Sequence, residues 1–98
     1  MTRNDLNLVP VPEETRTYKP ISTNLIFQTV DKLADKNNFY IKQELFDVKQ
    51  KGQMQRMRFI FDTNDPKFAF EIAVMNSYNK TISLRAGGGS TATICWNL

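Results

Sequence analysis

Two runs of alternating apolar and polar residues constrain the fold of this chain more than any other feature. The first run is Met54–Phe61, and the second is the cleaner stripe of Phe68, Phe70, Ile72 and Val74. A period of two is typical of a β-strand that buries one face. We therefore predict two strands and put the second in the centre of a sheet. In the first strand, the residues predicted to point inward are Met57, Phe59 and Phe61, with Arg56 and Arg58 outward.

A helix is predicted ahead of these strands, from about Thr23 to Lys36. Ser22 is a suitable N-terminal cap, and apolar residues recur behind it at helical spacing. The residues of this predicted face are Ile26, Val30, Leu33 and Ala34. Asn37 and Asn38 mark the predicted end, because asparagine tolerates the left-handed backbone that terminates many helices.

The segment between the helix and the first run, Phe39–Gln50, also predicts a strand, but its apolar residues change face midway. The residues on one side are Phe39, Ile41 and Leu45, and those on the other are Tyr40, Phe46 and Val48. Such a switch indicates a β-bulge or an edge position. A turn over Gln50–Gln53, which contains a glycine, then predicts a hairpin.

Shorter elements complete the predicted sheet. Turns are predicted at Asp62–Pro66 and Asn76–Lys80, a strand at Thr81–Arg85, a glycine loop at Ala86–Ser90 and a last strand at Thr91–Trp96. The predicted fold class is therefore α+β, with one N-terminal helix packed on an antiparallel meander of four to five strands.

Residues 1–20 hold three of the four prolines and predict an extended N-terminal arm, ahead of a single domain over residues 21–98. The arm is interpreted either as a disordered tail or as a segment given to a partner or neighbouring subunit. A homo-oligomer therefore stays open.

The residue inventory argues against several classes of protein. Cys95 is the only cysteine, and no apolar run reaches the roughly 20 residues of a membrane helix. We expect a cytoplasmic protein without membrane contact. Histidine is absent, which removes the commonest general base and the commonest metal ligand. We therefore expect no enzyme activity, no metal and no cofactor.

The net charge of +3 arises from one segment. Residues 41–60 carry five basic and two acidic side chains, and the rest of the chain balances. Clustered cations suit phosphate backbones, and an exposed tyrosine can stack on a base. The alternative is an edge hairpin that charge keeps soluble. The candidate nucleic-acid-binding residues are Lys42, Lys49, Lys51, Arg56, Arg58 and Tyr40.

The glycine run satisfies neither the P-loop nor the dinucleotide-binding motif. Its simplest interpretation is a backbone that requires glycine, and the alternative is an anion site formed by its amides. The residues of this candidate anion site are Arg85, Gly87, Gly88 and Gly89.

Five short motifs follow one another in a fixed order. They are Lys19–Ser22, Phe39–Phe46, Asn76–Lys80, Leu84–Gly88 and Ile94–Asn97. Over this span the chain resembles the N-terminal part of the phage/plasmid-like protein family known as domain of unknown function 932. The resemblance implies a mobile-element protein in a bacterial cytoplasm, either a minimal member or a fragment.

Three kinds of function stay open. The first is non-enzymatic binding of nucleic acid, single-stranded in our interpretation, through the basic hairpin during replication or recombination. The second is an interaction module that binds a host or phage protein and inhibits a host factor such as a defence system. The third is a component of virion assembly.

Overall fold

The computed structural model describes residues 1–63, 69–80 and 84–90, which form two helices and one sheet. The elements are α1 (Arg3–Asn7), α2 (Thr23–Lys36), β1 (Tyr40–Lys49), β2 (Met54–Asp62), β3 (Ala69–Ser77) and β4 (Arg85–Ser90). The strands lie in the order β1-β2-β3-β4, each antiparallel to its neighbour. The predicted α+β meander with a helix packed against it is therefore confirmed.

The core lies between α2 and the sheet face formed by alternate residues of β2 and β3. The predicted inward residues of β2 are all buried: Met57, Phe59 and Phe61. Phe59 pairs with Ile72 and Phe61 with Phe70, so the described part of the second stripe shares a face with the first. Phe68 lies outside the described residues. Phe27 of α2 meets Phe59 edge to face, with the ring centroids 6.1 Å apart. Buried rings of this size dominate the energetics of a small core.

The helix α2 begins and ends where the sequence predicts. The Ser22 hydroxyl accepts a hydrogen bond from the Leu25 amide at 3.1 Å. Asn38 has a φ of 56°, the left-handed conformation expected after a helix. The apolar residues that α2 buries are Ile26, Phe27, Val30 and Ala34. Leu33, which was predicted to share this face, is 42% exposed.

The strand β1 forms one edge of the sheet and contains the predicted bulge. Ile41 pairs with Phe61, but the next pairing residue is Gln43, so one extra residue lies between them. After the bulge, the side chains of Phe46 and Val48 pack on the same core as Ile41. The predicted assignment of these two residues to the opposite face is therefore wrong.

The glycine run is a strand rather than the predicted loop. Gly87–Gly89 pairs with Glu71–Ala73 in an antiparallel ladder. A Cβ atom at Gly88 would lie 3.0 Å from Cζ of Phe70, a separation that real Cβ atoms rarely show. Glycine therefore serves the close approach of a neighbouring side chain at this position.

The prediction of an extended arm is wrong for residues 3–7, which form α1. The Thr2 hydroxyl accepts a hydrogen bond from the Asp5 amide, and the Asp5 carboxylate accepts one from the Thr2 amide. The hydrogen bond from the Thr2 amide to the carboxylate lowers the pKa of Asp5, and the Thr2 side chain adds a smaller effect in the same direction. Leu6 is 1% exposed and belongs to the same core cluster as Phe27. The N-terminal segment is thus part of the domain.

Arg3 fixes α1 to both α2 and β1. Its guanidinium donates two hydrogen bonds to Asp31, at 2.8 and 2.9 Å, and its Nε donates to Glu44 at 2.5 Å. Its Cζ lies 4.9 Å from the centroid of the Phe27 ring. The hydrogen bonds with Asp31 raise the pKa of Arg3, with burial opposing and Glu44 adding to this effect.

Some predicted elements lie outside the described residues. They are most of the turn Asp62–Pro66, most of the strand Thr81–Arg85 and all of Thr91–Trp96. Asn76 and Ser77, which were predicted in a turn, end β3 instead. Neither of the two helices described above is long and apolar enough to cross a membrane.

The burial of Leu6 makes the N-terminal helix a testable part of the core. We expect Leu6→Ala to lower the free energy of unfolding by about 3 kcal/mol, because the change leaves a cavity beneath α1. Leu8→Ala is a matched control, since Leu8 is 80% exposed, and it should change stability by less than about 0.5 kcal/mol. Urea unfolding followed by circular dichroism measures both values. Equal, small effects would contradict the docking of α1.

Candidate functional site

The predicted basic residues lie at two distant parts of the hairpin. Tyr40 and Lys42 occupy the start of β1, and Tyr40 is 70% exposed. Lys49 ends the same strand, and Lys51 follows in the turn, both exposed. With about 3.3 Å per residue, the two ends of β1 are roughly 30 Å apart. The six candidate residues therefore do not form one compact patch.

The guanidinium of Arg58 pairs with a carboxylate inside the sheet. Its Nε donates a hydrogen bond to Oε1 of Glu71 at 2.7 Å, and Glu71 has no exposed surface. A buried carboxylate needs such a partner, because an unpaired charge is costly in the interior. Arg56 lies two residues earlier on the same face of β2, directly across the strand pair from Asp47. Arg58 is therefore paired with an acidic residue of the sheet, and Arg56 lies opposite one.

The turn at the end of the hairpin packs against the segment that follows β3. Nδ2 of Asn79 donates to Oε1 of Gln50 at 2.5 Å, and the Tyr78 amide donates to the Gln53 carbonyl at 2.7 Å. Lys51 therefore lies in the same corner of the molecule as Lys80. The sequence does not indicate this meeting, since the two segments are separated by β2 and β3.

A buried polar bridge fixes the start of α2 to the same corner. Nδ2 of Asn76 donates to the Ile21 carbonyl at 2.9 Å and to Oε1 of Gln55 at 3.2 Å. The Tyr78 hydroxyl accepts a hydrogen bond from the Thr23 amide at 3.0 Å. The side chain of Asn76 is buried, so these bonds form away from solvent. The segment before α2 is thereby held beside the end of β3.

A cleft of about 570 Å³ lies between this segment and the ends of β3 and β4. Three basic residues line it: Lys19, Lys80 and Arg85. Tyr18 also lines the cleft, and Nζ of Lys80 lies 4.9 Å from the centroid of its ring. Lys19 forms an ion pair with Glu14, but both side chains are 63% exposed, so the pair contributes little. Among the described residues, no carboxylate lines this cleft.

We use the name cationic end for the five basic residues that gather in this corner: Lys19, Lys49, Lys51, Lys80 and Arg85. Two of them belong to the predicted hairpin set, and Arg85 belongs to the predicted anion site. Lys19 and Lys80 were not predicted as site residues. Each lies in one of the five motifs on which the family resemblance rests, and this position in a motif is the sequence feature that could have marked them as candidates.

The structure changes the basis of the candidate anion site. Successive amides of an extended strand point in opposite directions, and the amides of Gly87–Gly89 lie in the strand β4. They therefore do not converge in the way that an amide nest requires. Arg85, at the start of β4, lines the cleft instead. Anion binding by this residue stays a prediction.

The chain matches no family model, no curated protein and no solved structure. The resemblance to the phage/plasmid-like family thus stays a prediction.

The ion pair between Arg58 and Glu71 gives a stability test. We expect Arg58→Met to cost about 3 kcal/mol, because it leaves the buried carboxylate without its partner. The double variant Arg58→Met/Glu71→Leu should be more stable than this single variant, since an apolar pair removes the unpaired charge. Chemical unfolding gives both values. A double variant less stable than Arg58→Met would contradict a structural role for the pair.

The polar bridge gives a second test. Asn76→Ala should cost about 2 kcal/mol, because it leaves the Ile21 carbonyl and the Gln55 side chain without their donor. Asn24→Ala is the matched control, since Asn24 is exposed on α2, and it should stay within about 0.5 kcal/mol of the parent chain. Thermal and urea unfolding report the difference. The bridge has no energetic importance if the two variants are equally stable.

Proposed function

We propose that this chain binds single-stranded nucleic acid without catalysing a reaction, and that the cationic end contacts the phosphates. The observation that carries the proposal is the hydrogen bond between Gln50 and Asn79. It joins the basic turn of the hairpin to the cleft lined by Lys80 and Arg85. Two separate groups of cations thereby become one surface.

Phosphate groups suit this surface for electrostatic reasons. Lysine and arginine side chains that neutralise phosphates release condensed counterions, which favours binding at low salt. For five phosphate contacts to a single strand, the logarithm of the association constant should fall with the logarithm of salt at a slope of about −3.5. The surface lacks carboxylates along the described part of the cleft, so an approaching anion meets little repulsion there.

A single strand fits this surface better than a duplex. The cations come from three separate segments, around residues 19, 50 and 80–85, rather than from one helix that could enter a groove. Proteins that bind single strands combine a positive groove with aromatic side chains. Tyr18 supplies an aromatic wall in the cleft. The predicted stacking residue, Tyr40, lies at the opposite end of β1 from the cationic end. A nucleic acid bound at the cationic end would have to cross the sheet to reach it.

The proposed biological setting rests on the resemblance to phage/plasmid-like proteins. In this setting, the chain would bind single strands during replication or recombination of a mobile element in a bacterial cytoplasm. Catalysis is left out of the proposal because the sequence contains no histidine and a single cysteine.

Two triple variants with the same change in charge test the proposal. The first, Lys49→Gln/Lys51→Gln/Lys80→Gln, removes three cations of the cationic end. The control, Lys32→Gln/Lys36→Gln/Lys42→Gln, removes three exposed lysines elsewhere. We expect the first to weaken binding of a fluorescent oligothymidylate at least about 10-fold, with the salt slope reduced to about −1.4. The control should stay within about 3-fold of the parent chain.

Fluorescence anisotropy at several salt concentrations gives both quantities. Absence of binding at low salt would contradict the proposed activity. Equal losses in the two triple variants would contradict the proposed surface, because they would indicate attraction by net charge alone.

A further inference from the structure

An apolar groove of about 550 Å³ runs between α2 and the strands β3 and β4. Leu25, Thr29 and Leu33 of α2 form one wall. Side chains of β3 and small residues of β4 line the rest, among them Ile72, Ala86 and Gly88. The groove exists because α2 buries its other side against β1 and β2, where Phe27 meets Phe46 and Phe59.

The glycines of β4 keep the groove deep. Gly87 and Gly88 both line it, and a side chain at Gly88 would meet the ring of Phe70. Small residues on a facing surface allow a partner helix to approach closely, because its side chains fill the space that the glycines leave. The glycines of β4 thus serve the shape of the groove, although they match no phosphate-binding motif.

Three leucines beside the groove are exposed to solvent to an unusual degree. The exposed fractions are 50% for Leu25, 42% for Leu33 and 46% for Leu84. Leu25 and Leu33 are separated by two turns of α2, which is about 12 Å along the helix axis. An apolar surface of this kind, rimmed by polar residues, is typical of an interaction site. A partner helix with apolar residues at i, i+4 and i+7 spans about the same length.

Basic side chains lie near both ends of the groove. Lys32 and Lys36 share a helix face with Leu25 and Leu33, because residues three, four or seven apart lie on one side of a helix. At the other end, Ile21 and Leu84 line both the groove and the cleft of Lys19, Lys80 and Arg85. Among the described residues, no carboxylate lines either the groove or the cleft.

These basic residues favour an occupant with acidic groups at both ends. A second copy of the chain would bring its own lysines against these, and like charges at an interface are unfavourable. An amphiphile with one anionic head would meet the basic residues at only one end of the groove. A peptide with an apolar face and acidic residues at both ends complements the whole surface.

We propose that the groove between α2 and β4 binds an acidic amphipathic helix of a partner protein. The apolar face of that helix would lie against Leu25, Leu33 and the glycines of β4, and its acidic ends would meet Lys32 and Lys36 at one side and the cleft cations at the other. This second binding activity goes beyond contact with nucleic acid. It gives the predicted interaction module a defined surface.

A pair of labelled peptides tests the proposal directly. Each has about 16 residues, with leucine at i, i+4 and i+7, and the two differ only in carrying glutamate or lysine at both ends. We expect the glutamate peptide to bind at least about 10-fold more tightly than the lysine peptide in fluorescence anisotropy, and this preference should shrink at high salt. Equal affinities, or no binding of the glutamate peptide, would overturn the proposal.

Matched variants locate the peptide on the protein. Leu25→Ser/Leu33→Ser should weaken binding of the glutamate peptide at least about 10-fold, while Leu8→Ser, at an exposed leucine outside the groove lining, should leave it unchanged. Both sites are partly or largely exposed, so the variants should fold, which circular dichroism checks. Equal effects of the two variants would overturn the assignment to the groove.

The same titrations separate this proposal from nucleic-acid binding. Lys49→Gln/Lys51→Gln changes residues outside the groove and the cleft and should weaken the oligonucleotide but not the peptide. Leu25→Ser/Leu33→Ser should weaken the peptide but not the oligonucleotide. Loss of peptide binding in the lysine variant would overturn the groove as the site, whatever the oligonucleotide does.

Discussion

The arrangement of both proposed surfaces depends on one buried polar contact, the side-chain amide of Asn76 between Ile21 and Gln55. A buried amide costs free energy unless its hydrogen bonds are satisfied, so this contact permits only one position for the start of α2. Tyr78, two residues later, adds the hydrogen bond from the Thr23 amide. The cleft and the wall that α2 gives to the groove depend on that position.

The molecule uses its arginines and lysines in different ways. Arg3 joins α1 to Asp31 and Glu44 over the ring of Phe27, and Arg58 pairs with Oε1 of the buried Glu71. The planar guanidinium suits such fixed, multiple contacts. The lysines of the cationic end are mostly at the surface, where their charge is available to a ligand. The number of basic residues in the hairpin therefore exceeds the number whose charge is available to an anionic ligand.

The spacing of apolar residues along the chain predicted the elements whose conformation depends on neighbouring residues. The helix from Thr23 to Lys36, the inward residues of β2 and the bulge in β1 all follow from spacing along the chain. Docking of Leu6 was missed because five residues carry too weak a periodicity, and burial against a distant core decides their conformation. The sequence predicts a loop for the glycine run because glycine has a low strand propensity. Its pairing with β3 and the ring of Phe70 reverse that preference.

The candidate site was predicted only in part, for a similar reason. Lys49 and Lys51 were identified from the charge of the hairpin, and Arg85 from its place beside the glycine run. Lys19 and Lys80 come from segments that only the tertiary structure brings together. The separation between Tyr40 and the hairpin turn, in contrast, follows from the length of the predicted strand at about 3.3 Å per residue. Topology, rather than composition, therefore decides which cations act together.

Mapping of the contact surface by NMR shows whether the cationic end contacts the oligonucleotide. The measurement is a ¹⁵N–¹H correlation titration of the chain with an oligothymidylate of about 12 nucleotides at low salt. Binding at the cationic end predicts amide shifts that concentrate at residues 17–19, 49–52, 78–80 and 84–86, with little change along α2 or at the start of β1. Shifts centred on Tyr40 and Lys42, or on the apolar groove, would contradict it.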